Sequence, residues 1–236
     1  MRFAAVLVLL TSQSVSPRRR RGEFPPKAGE GGAPQGDPVR LLALDDSYTI
    51  GEGVDSADRW PVLLAGALRD RGVGVADPVI VARTGWTVAE LGTGIDQAGP
   101  VGPFDLVTLQ IGVNDQYRGY PVEGFRDGFG ALLDRAIGFA DRDPDRVIVV
   151  SIPDWGVTPF AGSRDRERIT SEIDAFNRVV AEEAAHRGVG FVDVTPISRR
   201  AADEPGLLAG DGLHPSREMY AGWVELLLAV ALEIGG

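Results

Sequence analysis

A serine follows the first strongly apolar run of the chain, in a position that suits a nucleophile. Residues 41–44 read LLAL, and Asp45, Asp46 and Ser47 come directly after them. In open α/β sheets, ligands bind beyond the carboxyl ends of the strands. A hydroxyl at such a place needs a base, a group that orients the base and donors for an oxyanion before it can attack a carbonyl carbon.

The chain has only two histidines, so few residues qualify as the base. His214 lies in the segment DGLHP, with Asp211 three residues before it. At that spacing the carboxylate can accept a hydrogen bond from one ring nitrogen and fix the tautomer, which leaves the other nitrogen for Ser47. His186 lies in AAHRG near a predicted helix end, where an imidazole interacts with the last carbonyl groups.

Two further segments could donate hydrogen bonds to an oxyanion. Gly85 in RTGW and Asn114 in GVND each follow an apolar run. The backbone N–H groups of Ser47 and Gly85 and the side-chain amide of Asn114 are suitable donors, and a glycine leaves the backbone unobstructed. Each segment alone is typical of an ordinary turn. Their joint occurrence in this order favours a serine-dependent active site.

Alternating apolar runs and helical patterns must position these residues. The predicted strands are Val39–Leu44, Pro78–Ala82, Phe104–Ile111, Arg146–Ile152 and Val189–Val194. The predicted helices are Asp58–Arg71, Thr87–Ile95, Pro121–Asp141, Asp165–Arg187 and Arg217–Ile234. Continuous apolar strands separated by helices indicate a parallel sheet covered on both faces. We therefore predict an α/β fold, a three-layer α/β/α sandwich with five strands, whose strand-to-helix loops meet on one edge.

Composition limits the function classes. The 236 residues, 44% hydrophobic and 25% charged, suit one domain, which we assign to residues 38–236. A net charge of -10 argues against nucleic-acid binding. The absence of cysteine from the sequence excludes thiolate chemistry and disulfides.

The first 37 residues differ from the rest of the chain. A short apolar run in residues 3–10 is compatible either with a signal peptide cut near Ser16 or with a non-functional extension, and it is too short to span a bilayer. A Pro/Gly-rich tract follows and predicts a disordered linker. Cleavage would decide between a secreted and a cytoplasmic protein.

The segments DDSYTIGEG, RTGW, GVND and DGLHP, in that order, resemble the four sequence blocks of the SGNH (GDSL-type) hydrolases. The resemblance covers residues 39 to 234. It implies a flavodoxin-like three-layer fold, hydrolysis of small-molecule esters, thioesters or acetyl groups, and no metal or organic cofactor. It also implies that Ser47 is the nucleophile, that Asp211 and His214 complete a triad, and that Ser47, Gly85 and Asn114 form the oxyanion hole. Neither a stable membrane span nor an oligomeric state follows from it.

Asp45 departs from this pattern, because the first block normally opens Gly-Asp-Ser. Glycine there would permit an unusual backbone conformation, whereas aspartate adds bulk and charge beside the nucleophile. A carboxylate near Ser47 would oppose an oxyanion and favour protonated His214, which would move optimum activity to higher pH. If the side chain points into solvent, the effect is small. On this hypothesis activity is reduced, and Asp45→Gly raises turnover.

Other residues near the strand ends are candidates for substrate contact or for structural roles. Tyr117, Arg118 and Trp155 are candidate substrate contacts, and the loops 118–120 and 155–164 are expected to set specificity. Asp46 is expected to bond turn amides. Asp115 is either a second carboxylate in the site or a helix cap.

Two alternative functions remain open at this stage. A carboxylate-bound metal for phosphoester chemistry is one, and its candidate ligands would be Asp45, Asp46, Asp115 and Asp211. A non-catalytic binding module that kept the fold but lost turnover through Asp45 is the other. The metal reading leaves the serine, the asparagine and the histidine without matched roles, so we rank it lower.

Overall fold

The computed structural model describes residues 37–234. The predictions made for residues 1–36 lie outside this range. Five strands run β1 Leu41–Asp45, β2 Val79–Ala82, β3 Leu106–Leu109, β4 Val147–Val150 and β5 Gly190–Val192. Eight α-helices accompany them within the described residues: α1 Ser47–Ile50, α2 Trp60–Asp70, α3 Val88–Ala98, α4 Val113–Tyr117, α5 Val122–Phe139, α6 Arg166–Arg187, α7 Thr195–Arg199 and α8 Arg217–Ile234.

All the strand pairings are parallel, and the strand order is β2-β1-β3-β4-β5. This is the flavodoxin-like order, in which the chain direction across the sheet reverses between β1 and β3. Ligands bind at such a switch point, beyond the carboxyl ends of the two strands. Ser47 follows β1 and Asn114 follows β3, so the order of strands alone brings these two residues to neighbouring positions.

Helices cover the two faces of the sheet. Helices α2 and α8 pack together, and α5 packs against both α3 and α6. The central strands are apolar on both faces for this reason, and Leu41 to Leu44 are each at most 1% exposed. The predicted three-layer α/β/α sandwich is confirmed.

The five predicted strands and five long helices are all present, with strand ends shortened by at most two residues and β1 extended by one, to Asp45. Sequence reasoning missed three short helices, α1, α4 and α7. Two of them begin at or next to a predicted site residue, since α1 starts at Ser47 and α4 contains Asn114. A helix of one turn carries too few residues for a periodic apolar pattern, which explains the omission.

Asp45 ends β1 and is completely buried. It pairs with Ala82 of β2 in regular parallel register, and its φ is not positive. Neither carboxyl oxygen has a partner in full hydrogen-bonding geometry. Burial, and then the charge of Asp46, raise the pKa of Asp45 well above its usual value, and nearby groups of Thr49 and the Asp46 amide offset only part of this rise.

Two points about Asp45 follow from this geometry. The side chain does not point into solvent, which was the condition for a small effect, and the backbone does not adopt a conformation that favours glycine. Burial therefore favours the neutral form of the carboxyl group, which reduces the repulsion expected between Asp45 and an oxyanion at Ser47. The alkaline shift and the gain in turnover of Asp45→Gly stay predictions. Removing this buried side chain would also leave a void beneath Ser47.

The buried carboxyl makes a prediction about stability. Because the folded-state pKa of Asp45 lies above its unfolded value, the folded protein binds the extra proton and loses stability as pH rises from near 4 to the raised pKa. Asp45→Asn removes this loss. The free energy of unfolding of the variant, relative to wild type, should increase with pH by at most about 1.4 kcal/mol per pH unit in that interval.

Urea unfolding at pH 5, 6, 7 and 8 would measure the difference. Asp203→Asn, at an exposed position, controls for the loss of one carboxylate. A stability difference between Asp45→Asn and wild type that stays constant over this range would show that burial does not perturb Asp45.

Candidate active site

Ser47 is held at the point where β1 turns into α1. Asp46 is the N-cap residue, and its Oδ1 accepts the Tyr48 N–H at 3.1 Å, as expected for a residue bonding a turn amide. Gly51 ends the short helix in the left-handed conformation, with its N–H donating to the Ser47 carbonyl. The hydroxyl of Ser47 is thereby directed away from the sheet, although the residue is only 6% exposed.

His214 connects Ser47 to Asp211. Its Nε2 lies 3.0 Å from Ser47 Oγ, and its Nδ1 lies 2.6 Å from Asp211 Oδ2. The other oxygen of Asp211 accepts the N–H groups of Leu213 and His214, at 2.9 and 3.0 Å. Burial alone would raise the pKa of Asp211. The hydrogen bond from the His214 ring, followed by those from the two backbone N–H groups, outweighs burial, so the pKa of Asp211 is lowered. The carboxylate is therefore ionised and fixes the ring with Nε2 directed at the serine.

Gly85 lies in the turn between β2 and α3. Its φ is +86°, in the region that favours glycine, whereas a Cβ would meet no atom within 4 Å. Backbone conformation, and not space, is the reason for glycine here. The Arg118 guanidinium donates to the Gly85 carbonyl at 2.7 Å and pairs with Glu90 at 3.1 Å. These contacts anchor the turn that presents the Gly85 N–H.

Asn114 is held by two acceptors. Its Nδ2 donates to Asp46 Oδ2 at 3.0 Å and to the Trp86 carbonyl at 2.9 Å. Both amide hydrogens are therefore engaged, and donation to an oxyanion requires one of them to be shared. Gly112 begins α4 with a φ of +128°, and a Cβ there would lie 2.5 Å from the Phe125 ring. The close packing at Gly112 fixes where α4 starts and hence where Asn114 lies.

Asp46 links the nucleophile turn to the asparagine. Burial raises the pKa of Asp46 to about 7, although the Tyr48 amide and the Asn114 side chain stabilise the charged form. Near neutral pH the carboxyl is thus partly ionised and a strong acceptor for Asn114.

A cavity of about 160 Å³ opens at these residues. Ser47, Gly85, Asn114 and His214 all line it, so the four predicted residues converge on one space. The remaining lining residues are mostly apolar or aromatic: Tyr48, Thr84, Val113, Tyr117, Trp155, Phe160 and Leu213. Sequence reasoning named Tyr117 and Trp155 and placed Phe160 only within a specificity loop. The sequence signal for Phe160 was an aromatic residue in the loop that follows a predicted strand.

Other predicted residues have structural roles. Arg118 does not line the cavity and instead supports Gly85. Asp154 is buried and bonds Gly156, Thr170 and Arg199, which holds the segment that carries Trp155. His186 lies exposed in the last turn of α6, as predicted.

Asp115 has the second of the two roles considered for it, that of a helix cap. Its Oδ2 accepts the Val88 N–H at the start of α3, a different helix from its own. Burial raises the pKa of Asp115 to about 6.

The alternative metal site is not formed. Each of its four carboxylates has a separate environment, and no three acidic or histidine side chains within residues 37–234 converge as metal ligands. Asp45 is enclosed, Asp46 bonds Asn114, Asp115 bonds the start of α3 and Asp211 bonds His214. Within residues 37–234 the four carboxylates therefore do not form one ligand set.

The site holds a hydroxyl, an imidazole and a carboxylate in line at the carboxyl edge of a parallel sheet. This arrangement is typical of hydrolases with a hydroxyl nucleophile. The chain belongs to the GDSL-like lipase/acylhydrolase family, whose model matches residues 46–221. The expected SGNH relationship is thus confirmed, and the protein is an ester hydrolase.

Similar proteins agree with this family. An arylesterase from Vibrio mimicus is 27% identical over 196 residues, which cover 82% of this chain and 88% of the relative. A solved acetylxylan esterase from Geobacillus stearothermophilus has a TM-score of 0.61 at 20% identity, over 85% of this chain and 96% of its own. A member of the lipolytic G-D-S-L family from Veillonella parvula gives 0.61 at 18% identity, over 83% and 97%. The solved structures support the fold.

The hydrogen bond between Asp46 and Asn114 makes a prediction about rate. In Asp46→Asn the new carboxamide can keep one oxygen for Tyr48, but it then turns its own N–H groups towards Asn114 Nδ2. Two donors facing each other should displace Asn114. We expect kcat for a short-chain ester to fall about ten- to a hundredfold, below the ~10²–10³ of deleting an oxyanion donor, with little change in KM.

Asp115→Asn is the matched control, since it removes a neighbouring buried carboxylate but keeps an oxygen for Val88. Melting temperatures of both variants separate loss of stability from loss of rate. A kcat for Asp46→Asn equal to that of the control would rule out the positioning role.

Proposed function

We propose that the protein is a serine esterase that hydrolyses a small carboxylic ester, with an acyl or acetyl group, through Ser47, His214 and Asp211. The observation that carries this proposal is the pair of contacts made by one imidazole, 2.6 Å to Asp211 and 3.0 Å to Ser47. A histidine between a carboxylate and a hydroxyl is arranged to accept the hydroxyl proton.

In the first half of the reaction, His214 Nε2 takes the proton of Ser47 Oγ while Oγ forms a bond to the ester carbonyl carbon. Asp211 stabilises the imidazolium that results. The carbonyl oxygen becomes an oxyanion, and the N–H groups of Ser47 and Gly85 and the Asn114 amide are its donors. Collapse of this intermediate breaks the bond to the alcohol oxygen, which leaves with the proton from His214.

In the second half, water replaces the alcohol. His214 removes a proton from the water as its oxygen attacks the acyl carbon bound to Ser47. Breaking of the bond to Oγ then releases the acid, and His214 returns the proton to Ser47. The Asn114 amide has two hydrogen bonds, one to Asp46 and one to the Trp86 carbonyl. At each stage it shares one of these two N–H groups with the oxyanion. The donor is thus oriented before the substrate arrives, which lowers the reorganisation needed in the transition state.

The cavity favours small acyl or aryl groups. A volume of about 160 Å³ is well below the ~300–1,000 Å³ of pockets for drug-sized ligands. Its aromatic lining suits a flat apolar group, in keeping with the activity named for the Vibrio mimicus relative.

Within residues 37–234 no helix is long and apolar enough to cross a bilayer.

The binding-module alternative receives no support from Asp45. Its side chain is enclosed in the core and does not line the cavity.

Ser47→Ala tests the mechanism directly. We expect the rate of 4-nitrophenyl acetate hydrolysis to fall by at least about 10³-fold, because the attacking oxygen is lost. The melting temperature should change little, since within residues 37–234 the hydroxyl has a single side-chain hydrogen bond, to His214. A fluorophosphonate probe should label the wild-type protein at Ser47 and leave the variant unlabelled.

Ser171→Ala, on the exposed face of α6, is the control for serine removal. Wild-type turnover should survive EDTA. Full activity of Ser47→Ala would disprove the proposed nucleophile, and inhibition by EDTA would revive a metal-dependent route.

A further inference from the structure

Three aromatic rings form one continuous surface inside the cavity. The ring centroids of Tyr117 and Trp155 are 5.4 Å apart, those of Trp155 and Phe160 5.9 Å, and those of Tyr117 and Phe160 6.1 Å. We call these three residues the aromatic cluster. Trp155 is buried and its indole N–H donates to Gln116 at 2.7 Å, whereas Tyr117 and Phe160 are partly open to solvent, at 47% and 39% exposure. A flat ring can therefore pack against the cluster from the cavity.

Arg164 lies against the cluster from outside. Its guanidinium carbon is 5.3 Å from the Phe160 centroid, 5.7 Å from that of Trp155 and 5.8 Å from that of Tyr117. One of its nitrogens donates to the Phe160 carbonyl at 2.8 Å. These distances are within the range of cation–π attraction, so the side chain is held in place although it is exposed.

The positive charge of Arg164 is not neutralised by an ion pair within residues 37–234. Its hydrogen-bond partners are the carbonyls of Phe160 and Ala161 and the hydroxyl of Tyr117. Arg118, by contrast, pairs with Glu90. A protein of net charge -10 offers an anion no general attraction. A guanidinium without an ion pair, next to three rings that line the cavity, is therefore a local exception.

The cluster is attached to the loop of the catalytic histidine. The Phe160 N–H donates to the Gly212 carbonyl at 3.2 Å, between Asp211 and His214. In the proposed mechanism, His214 gives its proton to the leaving alcohol. The aromatic cluster is therefore attached to the loop whose histidine would protonate the leaving alcohol, which favours the leaving-group side for a ring packed on it.

We propose, resting on the proposed function above, that the preferred substrate is an aryl ester whose leaving phenol carries a negatively charged substituent. The ring packs on the aromatic cluster and the substituent pairs with the Arg164 guanidinium, which presents planar paired donors to a carboxylate or sulfonate. Arg164 is then a specificity-determining residue for the leaving group.

The test compares phenyl acetate with 4-carboxyphenyl acetate. The ratio of kcat/KM for the charged ester to that for the neutral ester is measured in wild type, Arg164→Gln and Arg164→Lys. Dividing the variant ratio by the wild-type ratio cancels the intrinsic reactivity of each ester and any general loss of activity. We expect Arg164→Gln to lower the ratio about three- to fivefold, as for an exposed ion pair, mainly through KM. Arg164→Lys should retain most of the preference.

Arg166→Gln is the matched control, an exposed arginine two residues away that contacts none of the three rings. The wild-type preference should also shrink in 0.5 M NaCl, since salt screens exposed charges. An unchanged ratio in Arg164→Gln, or an equal change in the control, would overturn the proposal.

A second pair of esters tests the assignment to the leaving group. Methyl benzoate and monomethyl terephthalate carry the ring on the acyl side. A larger effect of Arg164→Gln on this pair than on the acetates would overturn the leaving-group assignment. Failure of the wild-type protein to hydrolyse phenyl acetate through Ser47 would instead count against the proposed function itself, which keeps the two failures distinguishable.

Discussion

The site depends on one constraint, the parallel pairing of β1 with β3 at the point where the strand order reverses. This pairing places the turn after β1 beside the turn after β3, and the hydrogen bond from Asn114 to Asp46 joins the two turns at 3.0 Å. Because Asp46 also caps α1, one carboxyl group orients the serine turn and the asparagine together. The third component, His214, approaches from the segment before α8 and needs only to meet a serine that is already positioned.

The fold and the grouping of the candidate site residues around one cavity followed from the sequence because both rest on local patterns. Continuous apolar strands separated by helical spacing define the parallel sheet, and the ends of such strands are where ligands bind. Asp211 and His214 are three residues apart, so their contact is nearly local. The partners of Arg118 and Asp115, the Gly85 carbonyl and the Val88 amide, were not predictable, because each lies 27 or more positions away. Spacing along the chain carries no information about such contacts.

The burial of Asp45 was not predictable for a related reason. Its neighbours in sequence, Asp46 and Ser47, suggested a charge beside the nucleophile, but residues on a strand alternate between its two faces. The side chain enters the core under the turn, where burial favours its neutral form. Its expected consequence is therefore a cost in stability that grows with pH.

Four carboxyl groups thus lie near one nucleophile without opposing it together. Burial raises the pKa of Asp45 well above its usual value, and it raises those of Asp46 and Asp115 to about 7 and about 6, whereas the pKa of Asp211 is lowered by the histidine it orients. In the proposed mechanism, negative charge is thus concentrated where the imidazolium would form and reduced where the oxyanion would form. In the proposed mechanism, the guanidinium of Arg164 adds the opposite charge on the leaving-group side. A phenol with an anionic substituent would then depart beside a cation, so the distribution of charge that assists attack by Ser47 would also stabilise the leaving group.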